Sequence, residues 1–276
     1  MWFKGCFHLH TTNSDGELNP IDVYNYYKDK GYDFIAITDH KFFTKLEKKP
    51  DKDLLVIENS IEFDIGTNLH ILGIGLKNNI YNDQKNHQEI IDFIIKNKGI
   101  AIICHPNWMW AGKFNKLSKL KRYHGIEIFN SLIKEHIGSP FALEKWDYLL
   151  SQGNKIWGFA VEDFHYIKEN IIFRGWIMVN ARRLTKKDIF DSIISGNFYC
   201  STGVVLNECF INENKFQVSS QNGEEIVFIG DNGKIIKVID GKKGEIKIDM
   251  EYKYLRCEVR SEEGIAYTQP IFIGKE

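Results

Sequence analysis

The stretch that decides the fold is residues 5–16, with the sequence GCFHLHTTNSDG. Its first half is apolar and is typical of a β-strand, which ends in His8-Leu9-His10. Side chains two positions apart on a strand face the same way, so both imidazoles can reach one metal ion. Asp15 follows in a polar turn and adds a carboxylate. The stretch therefore predicts a metal-binding strand end.

Histidines and carboxylates recur where other predicted strands end. They lie in Thr38-Asp39-His40, Ile61-Glu62-Phe63-Asp64, Cys104-His105-Pro106 and Asp163-Phe164-His165. His70 is the exception, because it opens a strand and needs a loop to bring it back. A lone histidine in such a place is usually an ordinary polar residue. Six of the nine histidines follow this pattern, however, and parallel strand ends converge on one face, so we predict a shared site.

The first two thirds of the chain alternate between strand and helix patterns. Buried parallel strands are predicted at residues 34–37, 54–57, 71–74, 100–103, 126–129 and 156–160. Helices are predicted from Asn19-Pro20 to about Gly31, over about 84–98, after Ser139-Pro140, and over 186–195 behind the cap Thr185. Such repeated units indicate a barrel-like or doubly wound α/β fold.

After about residue 203 the pattern changes to short strands separated by turn signals. Strands are predicted at residues 225–229, 234–239, 244–250 and 254–260. In 255–260 the alternation of apolar and polar residues is strict, which predicts one buried face and one face in water. We therefore predict two domains, residues 1–203 and residues 204–276, the second a small antiparallel β module.

Composition excludes several classes of protein. The chain has 276 residues with 36 basic and 37 acidic side chains, so its charge favours neither a nucleic-acid binder nor a membrane-surface protein. No apolar run approaches the roughly 20 residues that a membrane helix needs, and the first residues lack the pattern of a secretion signal. The five cysteines are scattered and form no CxxC pair, which favours the cytoplasm. Walker, GxGxxG and GxSxG motifs are also absent from the sequence.

The ordered motifs resemble those of the PHP (polymerase and histidinol phosphatase) superfamily. The resemblance rests on His8-Leu9-His10 with Asp15, Thr38-Asp39-His40, Glu62, His105 and Asp163-Phe164-His165, and it covers residues 3 to about 203. The turn Ser14-Asp15-Gly16 and the β-rich C-terminal part look more like the CehA/McbA-type metallohydrolase branch. The resemblance implies a distorted (β/α)7 barrel of PHP type that holds two or three divalent ions.

By position, the resemblance also implies the ligands of each ion. His8, His10, Glu62 and Asp163 would hold the first, with Glu62 bridging to a second that His70 and His105 complete, while Asp15, His40 and His165 would hold a third. Some relatives have a further histidine where this chain has Asn130, which we expect to contact substrate or to bind metal weakly. Asp15 gives the third site a harder ligand, which favours Mn, Fe, Mg or Zn without choosing among them.

The function that we expect is a cytoplasmic metal-dependent phosphoesterase acting on a phosphate mono- or diester. A metal-activated hydroxide would attack phosphorus, and Asp163, His165 or a metal-bound water would help the leaving group to depart. The substrate would be a small phosphoester, with nucleotides among the candidates. Lys41 and Arg174 are candidate phosphate contacts, with a solvated surface charge as their alternative. A carboxylester or carbamate metallohydrolase, and a metal-stabilised binding scaffold without turnover, stay open as alternatives.

Five further residues have an expected position or two interpretations each. Asp39 either orients a ligand or caps the following turn, and Glu127 either lines the pocket or supports it from below. Trp108 and Trp110 either wall a substrate pocket or pack under a long loop. Cys104 precedes His105 on a strand, so we expect its thiol to point away from the site.

Overall fold

The computed structural model describes residues 1–46, 54–78, 86–168 and 172–274, which form a mixed α/β fold. The helices are α1 (Pro20–Asp29), α2 (His87–Lys96), α3 (Phe114–Leu117), α4 (Leu143–Ser151) and α5 (Lys186–Ile194), with 3₁₀ helices at Leu132–Glu135 and Asp231–Gly233. The first strands are β1 (Trp2–Cys6), β2 (Phe34–Ile35), β3 (Leu55–Val56), β4 (Ile61–Phe63), β5 (Ile71–Ile74), β6 (Ile100–Ile103), β7 (Gly125–Asn130), β8 (Trp157–Val161), β9 (Trp176–Asn180) and β10 (Phe198–Ser201). The later strands are β11 (Leu206–Asn212), β12 (Lys215–Ser220), β13 (Glu225–Gly230), β14 (Lys234–Asp240), β15 (Lys243–Lys247), β16 (Tyr254–Ser261), β17 (Gly264–Thr268) and β18 (Ile271–Phe272).

The helix starts follow from local capping chemistry. The Asn19 side chain accepts hydrogen bonds from the first backbone N–H groups of α1, and Pro20 takes the first helical position, where a missing N–H costs nothing. Thr185 caps α5 by accepting from the backbone N–H of Asp188 at 3.2 Å. Both predicted starts are confirmed. Helix α2 begins behind the cap Asn86, and the predicted residues 84 and 85 lie outside the described residues.

The strands form three sheets within the described residues. The largest has the order β14-β13-β16-β17-β10-β9-β1-β2-β3, with β18 beside β16, the second has the order β4-β5-β6-β7-β8, and the third has the order β11-β12-β15. All six strands predicted in the first part are present, as β2, β3, β5, β6, β7 and β8. Helix α2 packs Ile90, Ile91 and Ile94 into the main core, and α4 contributes Trp146 and Leu149.

The predicted parallel direction of β5 is wrong. Strand β5 pairs antiparallel with both β4 and β6. The loop from Phe63 to Ile71 is too short for the crossover that a parallel pair requires, so the chain turns back directly. This reversal places the start of β5, and therefore His70, at the edge where β4 and β6 end. The sequence predicts that a loop brings His70 back to the site. In the structure the antiparallel direction of β5 does this instead.

None of the three sheets closes on itself within the ranges that the structure describes. Two isolated parallel bridges connect the large sheet to the second: Leu9 pairs with Phe164 beyond β8, and His40 pairs with Glu62 in β4. The fold is therefore an α/β arrangement of open sheets that meet at two points. The (β/α)7 barrel implied by the resemblance is not seen as a closed ladder in this part of the chain.

The C-terminal strands extend the main sheet and also enclose their own hydrophobic cluster. Strand β10 pairs with both β9 and β17, so the hydrogen-bonded sheet runs across the predicted boundary at residue 203. Strands β11, β12 and β15 form a separate antiparallel sheet, whose Phe216 packs against Phe228 of the main sheet. The four strands predicted here are present as β13 to β16. The division into residues 1–203 and 204–276 stays a prediction.

The water-exposed face predicted for residues 255–260 is wrong at Arg256 and Glu258, whereas the Arg260 side chain is 39% exposed. Arg256 and Glu258 are only 2% and 4% exposed. Helix α4 covers them, and the Arg256 guanidinium donates to both Asp147 carboxylate oxygens at 2.8 and 2.7 Å and to Glu258 at 2.8 Å. Burial of these charges is tolerated because each one is paired and hydrogen-bonded. The ion cluster fixes α4 to the C-terminal strands.

Because this cluster is buried, Asp147→Ala should be strongly destabilising. Arg256 would lose two charged hydrogen bonds without regaining water, at a cost of about 3–5 kcal/mol in the free energy of unfolding. Chemical denaturation measures the change. The matched control is Asp191→Ala, which removes an exposed i,i+4 ion pair with Lys187 and should cost less than about 1 kcal/mol. Equal losses in the free energy of unfolding from the two variants would show that the buried ion cluster does not hold α4 to the C-terminal strands.

No helix among the described residues is both long enough and apolar enough to span a membrane.

Candidate metal centre

The ends of several strands bring the predicted ligands to one place. His8 and His10 follow β1, His40 follows β2, Glu62 lies in β4, His70 precedes β5, His105 follows β6, and Asp163 and His165 follow β8. Parallel strands deliver residues from their carboxyl ends to one edge. Strand β5 runs in the opposite direction, so the residue just before it, His70, lies at this edge.

Two of these strand ends have strained backbone. The φ angles are +23° at His105 and +56° at Asp163, in or near the left-handed region that costs about 1–3 kcal/mol for such residues. Hydrogen bonds hold both turns: the His105 N–H donates to Glu127 at 2.6 Å, and the Phe164 N–H donates to the His8 carbonyl at 3.2 Å. The structure thus stabilises conformations that aim side chains into the site.

The thiol of Cys104 lies close to the site, contrary to the sequence expectation. Its Sγ is within 4.8 Å of ligand atoms of His8, Glu62 and His105. The positive φ of His105 breaks the strand alternation on which the expectation depended. Burial raises the pKa of the Cys104 thiol well above its usual range, and the nearby Glu127 and Glu62 carboxylates raise it further.

Glu62 occupies the centre, and its two carboxylate oxygens face different histidines. Oε1 lies 2.8 Å from His70 Nδ1 and 3.1 Å from His105 Nε2. Oε2 lies 2.9 Å from His8 Nε2, 3.0 Å from His10 Nε2 and 3.5 Å from His40 Nε2. The carboxylate is 1% exposed, so these five imidazoles form most of its polar surroundings.

Asp163 shares two of these histidines. Its Oδ1 lies 3.2 Å from His8 Nε2 and 3.4 Å from His10 Nε2. Ligand atoms of His8, His10, Glu62 and Asp163 all lie within 4.8 Å of one another. The structure therefore brings together the four residues that the resemblance assigned to a first ion.

A third set of side chains surrounds Asp15 at the more exposed side of the centre. Ligand atoms of His10, Asp15, His40 and His165 lie within 4.8 Å of one another. The turn that carries Asp15 is fastened by Asp39, which accepts hydrogen bonds from Thr11 and Ser14 at 2.6–2.7 Å. Asp39 thus holds the loop around Asp15, and it also accepts a hydrogen bond from Thr44 in the following turn, so the structure agrees with both of its interpretations.

The electrostatics keep the central carboxylates ionised. Burial alone raises the pKa of Glu62, but the surrounding imidazoles, beginning with His8, outweigh burial and hold it well below its usual range. The same balance lowers the pKa of Asp163, again beginning with His8. For His8 itself, burial lowers the pKa, and the carboxylates of Asp163, Glu62 and Glu127 reverse this and raise it. Ionised carboxylates are the form that binds cations.

Glu127 and Asn130 support the centre from the β7 side. Glu127 Oε1 lies 2.7 Å from His8 Nδ1, so this ring nitrogen donates to Glu127 and leaves Nε2 facing Glu62 and Asp163. Asn130 Nδ2 donates to Glu127 at 2.9 Å and to Asp163 at 3.0 Å. Both residues are buried. Glu127 therefore supports the site from below and does not line the pocket. Asn130 lies beneath the ligands, and its predicted substrate contact stays a prediction.

This donor set fits divalent metal ions. Imidazole and carboxylate groups suit Mn, Fe and Zn, and four overlapping groups of candidate ligands occur here, one of which also includes the Cys104 thiol. The buried His10 Nε2 points between Glu62 and Asp163 without forming a hydrogen bond of good geometry, as expected for an atom placed to bind an ion. The residues present therefore fit the implied metal.

A cleft of about 270 Å³ opens over the ligands. Beyond the ligands it is lined by Trp108, Leu132, Ile133, His136 and Tyr166. Trp108 lies 5.6 Å from the His70 ring and 5.1 Å from the His105 ring, centroid to centroid, so it walls the cleft as one of its two interpretations predicted. The sequence gives no signal for the other four, since His136, Leu132, Ile133 and Tyr166 lie in connections without a motif. Trp110, the second predicted tryptophan, is not among the described residues that line the cleft.

Lys41 and Arg174 are not brought to the cleft. Both are exposed, and neither is among the described residues that line it. Their predicted phosphate contacts stay predictions.

Comparisons with known proteins identify a shared fold. No family model and no curated protein matches the chain. Among solved structures, it is similar to a two-domain protein from Bacteroides vulgatus ATCC 8482 that contains a predicted PHP-like metal-dependent phosphoesterase. That likeness has a TM-score of 0.57 at 17% identity over 98% of this chain and 95% of the other. The lesion-specific endonuclease PfuEndoQ from Pyrococcus furiosus is similar with a TM-score of 0.53 at 12% identity, over 78% and 64% of the two chains. The chain therefore has the fold of these proteins.

The contact between Glu127 and His8 yields a direct test. Glu127→Gln replaces a charged acceptor by a neutral amide, so His8 loses orientation and basicity, and metal affinity should fall about 10–100-fold. Competition with a chromogenic chelator measures the affinity for Mn²⁺ and Zn²⁺. The control is Glu208→Gln, an exposed residue on β11, which should leave the affinity unchanged. Unchanged affinity in Glu127→Gln would contradict the supporting role.

Proposed function

We propose that this protein is a metal-dependent phosphoesterase of the PHP superfamily. The observation that carries the proposal is the arrangement around Glu62, whose two oxygens face separate sets of histidines. A carboxylate in that position suits a bridge between two ions, as in enzymes that use paired metals for phosphoryl transfer. The likeness of fold to a protein with a predicted PHP-like metal-dependent phosphoesterase supports the same class.

The overlapping groups are compatible with two or three divalent ions. His8, His10, Glu62 and Asp163 would hold one ion, and Asp15 with His10, His40 and His165 another. A further ion would be held by Glu62 Oε1 with His70 and His105, whose ring nitrogens lie 2.8 and 3.1 Å from that oxygen. Mn, Fe, Zn and Mg all stay candidates. When bound, such ions lower the pKa of a coordinated water and neutralise charge on the phosphoryl oxygens.

Asp163 and His165 are the residues of this chain best placed to act on the leaving group. Both line the cleft. His165 Nδ1 donates to the Asp163 carbonyl oxygen at 2.9 Å, which fixes the ring and leaves Nε2 directed towards Asp15 at 3.3 Å. Asn130 fixes the Asp163 carboxylate through Oδ2, so Oδ1 stays directed at the histidines. In this proposal the ionised Asp163 carboxylate orients the ester, and His165, where no third ion occupies its Nε2, passes a proton to the departing oxygen.

The finer assignments belong to the same proposal. The bridges from Leu9 to Phe164 and from His40 to Glu62 support a distorted (β/α)7 barrel, because they join the two open sheets on both sides. The turn around Asp15 and the β-rich C-terminal part support the CehA/McbA-like branch. The cytoplasm remains the expected location on the basis of cysteine usage.

The class of reaction is tested with nitrophenyl substrates. Metal-stripped protein is supplied with Mn²⁺ and offered nitrophenyl phosphate, bis-nitrophenyl phosphate and nitrophenyl acetate. We expect Mn-dependent release from a phosphate ester to exceed release from the acetate. Turnover of the acetate alone would instead identify a carboxylester hydrolase, and silence on all three would favour a binding scaffold.

Asp163→Ala should abolish this phosphoesterase activity. The variant removes a carboxylate that faces both His8 and His10, so kcat/KM should fall at least about 100-fold. Steady-state kinetics with saturating Mn²⁺ measures the loss, and circular dichroism verifies folding. Asp240→Ala, at an exposed position on β14, is the control and should retain wild-type kinetics. Full metal-dependent turnover by a folded Asp163→Ala protein would contradict the proposal.

A further inference from the structure

The walls of the cleft differ in chemistry from its floor. The floor consists of the ligand histidines and carboxylates, whereas Trp108, Leu132 and Ile133 present apolar surface. The walls come from three successive connections: Trp108 follows β6, Leu132 and Ile133 form the 3₁₀ helix after β7, and Tyr166 follows β8. A substrate with its phosphoryl group at the floor would therefore place its alcohol portion against apolar and aromatic side chains.

The charge of the cleft walls limits the substrate as well. Of the described residues that line the cleft, none is a lysine or arginine, and His136 lies at the exposed rim. A second phosphate on the substrate would meet Trp108, Leu132 or Ile133 without a compensating cation, and an unpaired charge beside an apolar wall is costly. A polynucleotide would face the same deficit, because its affinity depends on lysine and arginine contacts to phosphates.

The size of the cleft sets a further limit. Its volume of about 270 Å³ lies just below the roughly 300–1,000 Å³ typical of sites for drug-sized ligands. One phosphoryl group and one small ring or short chain fill such a space. Tyr166 and Trp108 offer ring surfaces that favour a flat group.

We infer that the substrate is a phosphate monoester of a compact, uncharged, apolar alcohol or phenol, bound with its single phosphoryl group at the floor and its organic part against Trp108, Leu132, Ile133 and Tyr166. The inference rests on the proposed phosphoesterase function and specifies its substrate class. It excludes nucleoside bisphosphates and nucleic acids as preferred substrates.

The first test ranks substrates with the full-length Mn-loaded protein. Phenyl phosphate, adenosine 3′,5′-bisphosphate and a single-stranded oligonucleotide are compared by kcat/KM. We expect phenyl phosphate to exceed the other two at least about tenfold. A preference for the bisphosphate or the oligonucleotide would overturn the inference and leave the proposed phosphoesterase function intact.

A second test places a cation in the wall. Tyr166→Arg should raise the ratio of kcat/KM for the bisphosphate to that for phenyl phosphate by about tenfold or more, because the new guanidinium pairs with the second phosphate. Ile167→Arg adds the same charge one position away, at a residue that is 52% exposed and is not among the described residues lining the cleft. It should leave the ratio unchanged. Equal ratios in the two variants would contradict the assignment of the wall.

A binding measurement separates the two possible failures. Absence of turnover on every phosphate ester would reject the proposed function. Phenylphosphonate, which cannot be hydrolysed, should still bind the Mn-loaded protein at least about tenfold more tightly than methylphosphonate in calorimetric titration. Equal affinities would overturn the inference about the apolar wall, whatever the activity.

Discussion

The structure depends on one buried carboxylate, that of Glu62, and on the need to compensate its charge. An ionised carboxylate taken out of water costs several kcal/mol unless opposite charges or hydrogen-bond donors replace the water. Here five imidazoles from four other strand ends do so, at 2.8–3.5 Å. A divalent ion bound between Glu62 and these rings would take the place of the imidazole protons and compensate the carboxylate charge more strongly. The requirement to gather these groups explains why several connections are strained, fastened or reversed.

That requirement reaches beyond the ligands. His105 and Asp163 have positive φ angles, and Glu127 holds both the His8 ring and the His105 backbone N–H. Asp39 fastens the turn before Asp15. These supports come from other strands than the groups they orient, so the centre is defined only when the sheets have assembled. Metal affinity and folding should therefore be linked.

Much of this could be predicted from the sequence, because the signals are local. Helix caps such as Asn19 and apolar runs such as residues 100–103 depend on a few neighbouring residues. The direction of β5 and the burial of Arg256 could not be predicted, since each is decided by a partner distant in sequence. The same holds for most of the apolar wall of the cleft: Trp108 was a candidate because it follows His105, but Leu132, Ile133 and Tyr166 lie in connections without a motif. The candidate ligands could be predicted because motifs at the strand ends carry them, whereas the lining of the cleft could not.

The central claim is that Glu62 connects the ion sites, and counting ions per chain tests it most directly. Wild-type and Glu62→Gln proteins are equilibrated with Mn²⁺, freed of excess by gel filtration, and analysed by inductively coupled plasma mass spectrometry. We expect two or three ions per wild-type chain and the loss of more than one of them on this single substitution, because Glu62 takes part in three of the four candidate ligand groups. Retention of all ions, or at most one ion bound by the wild-type chain, would contradict it.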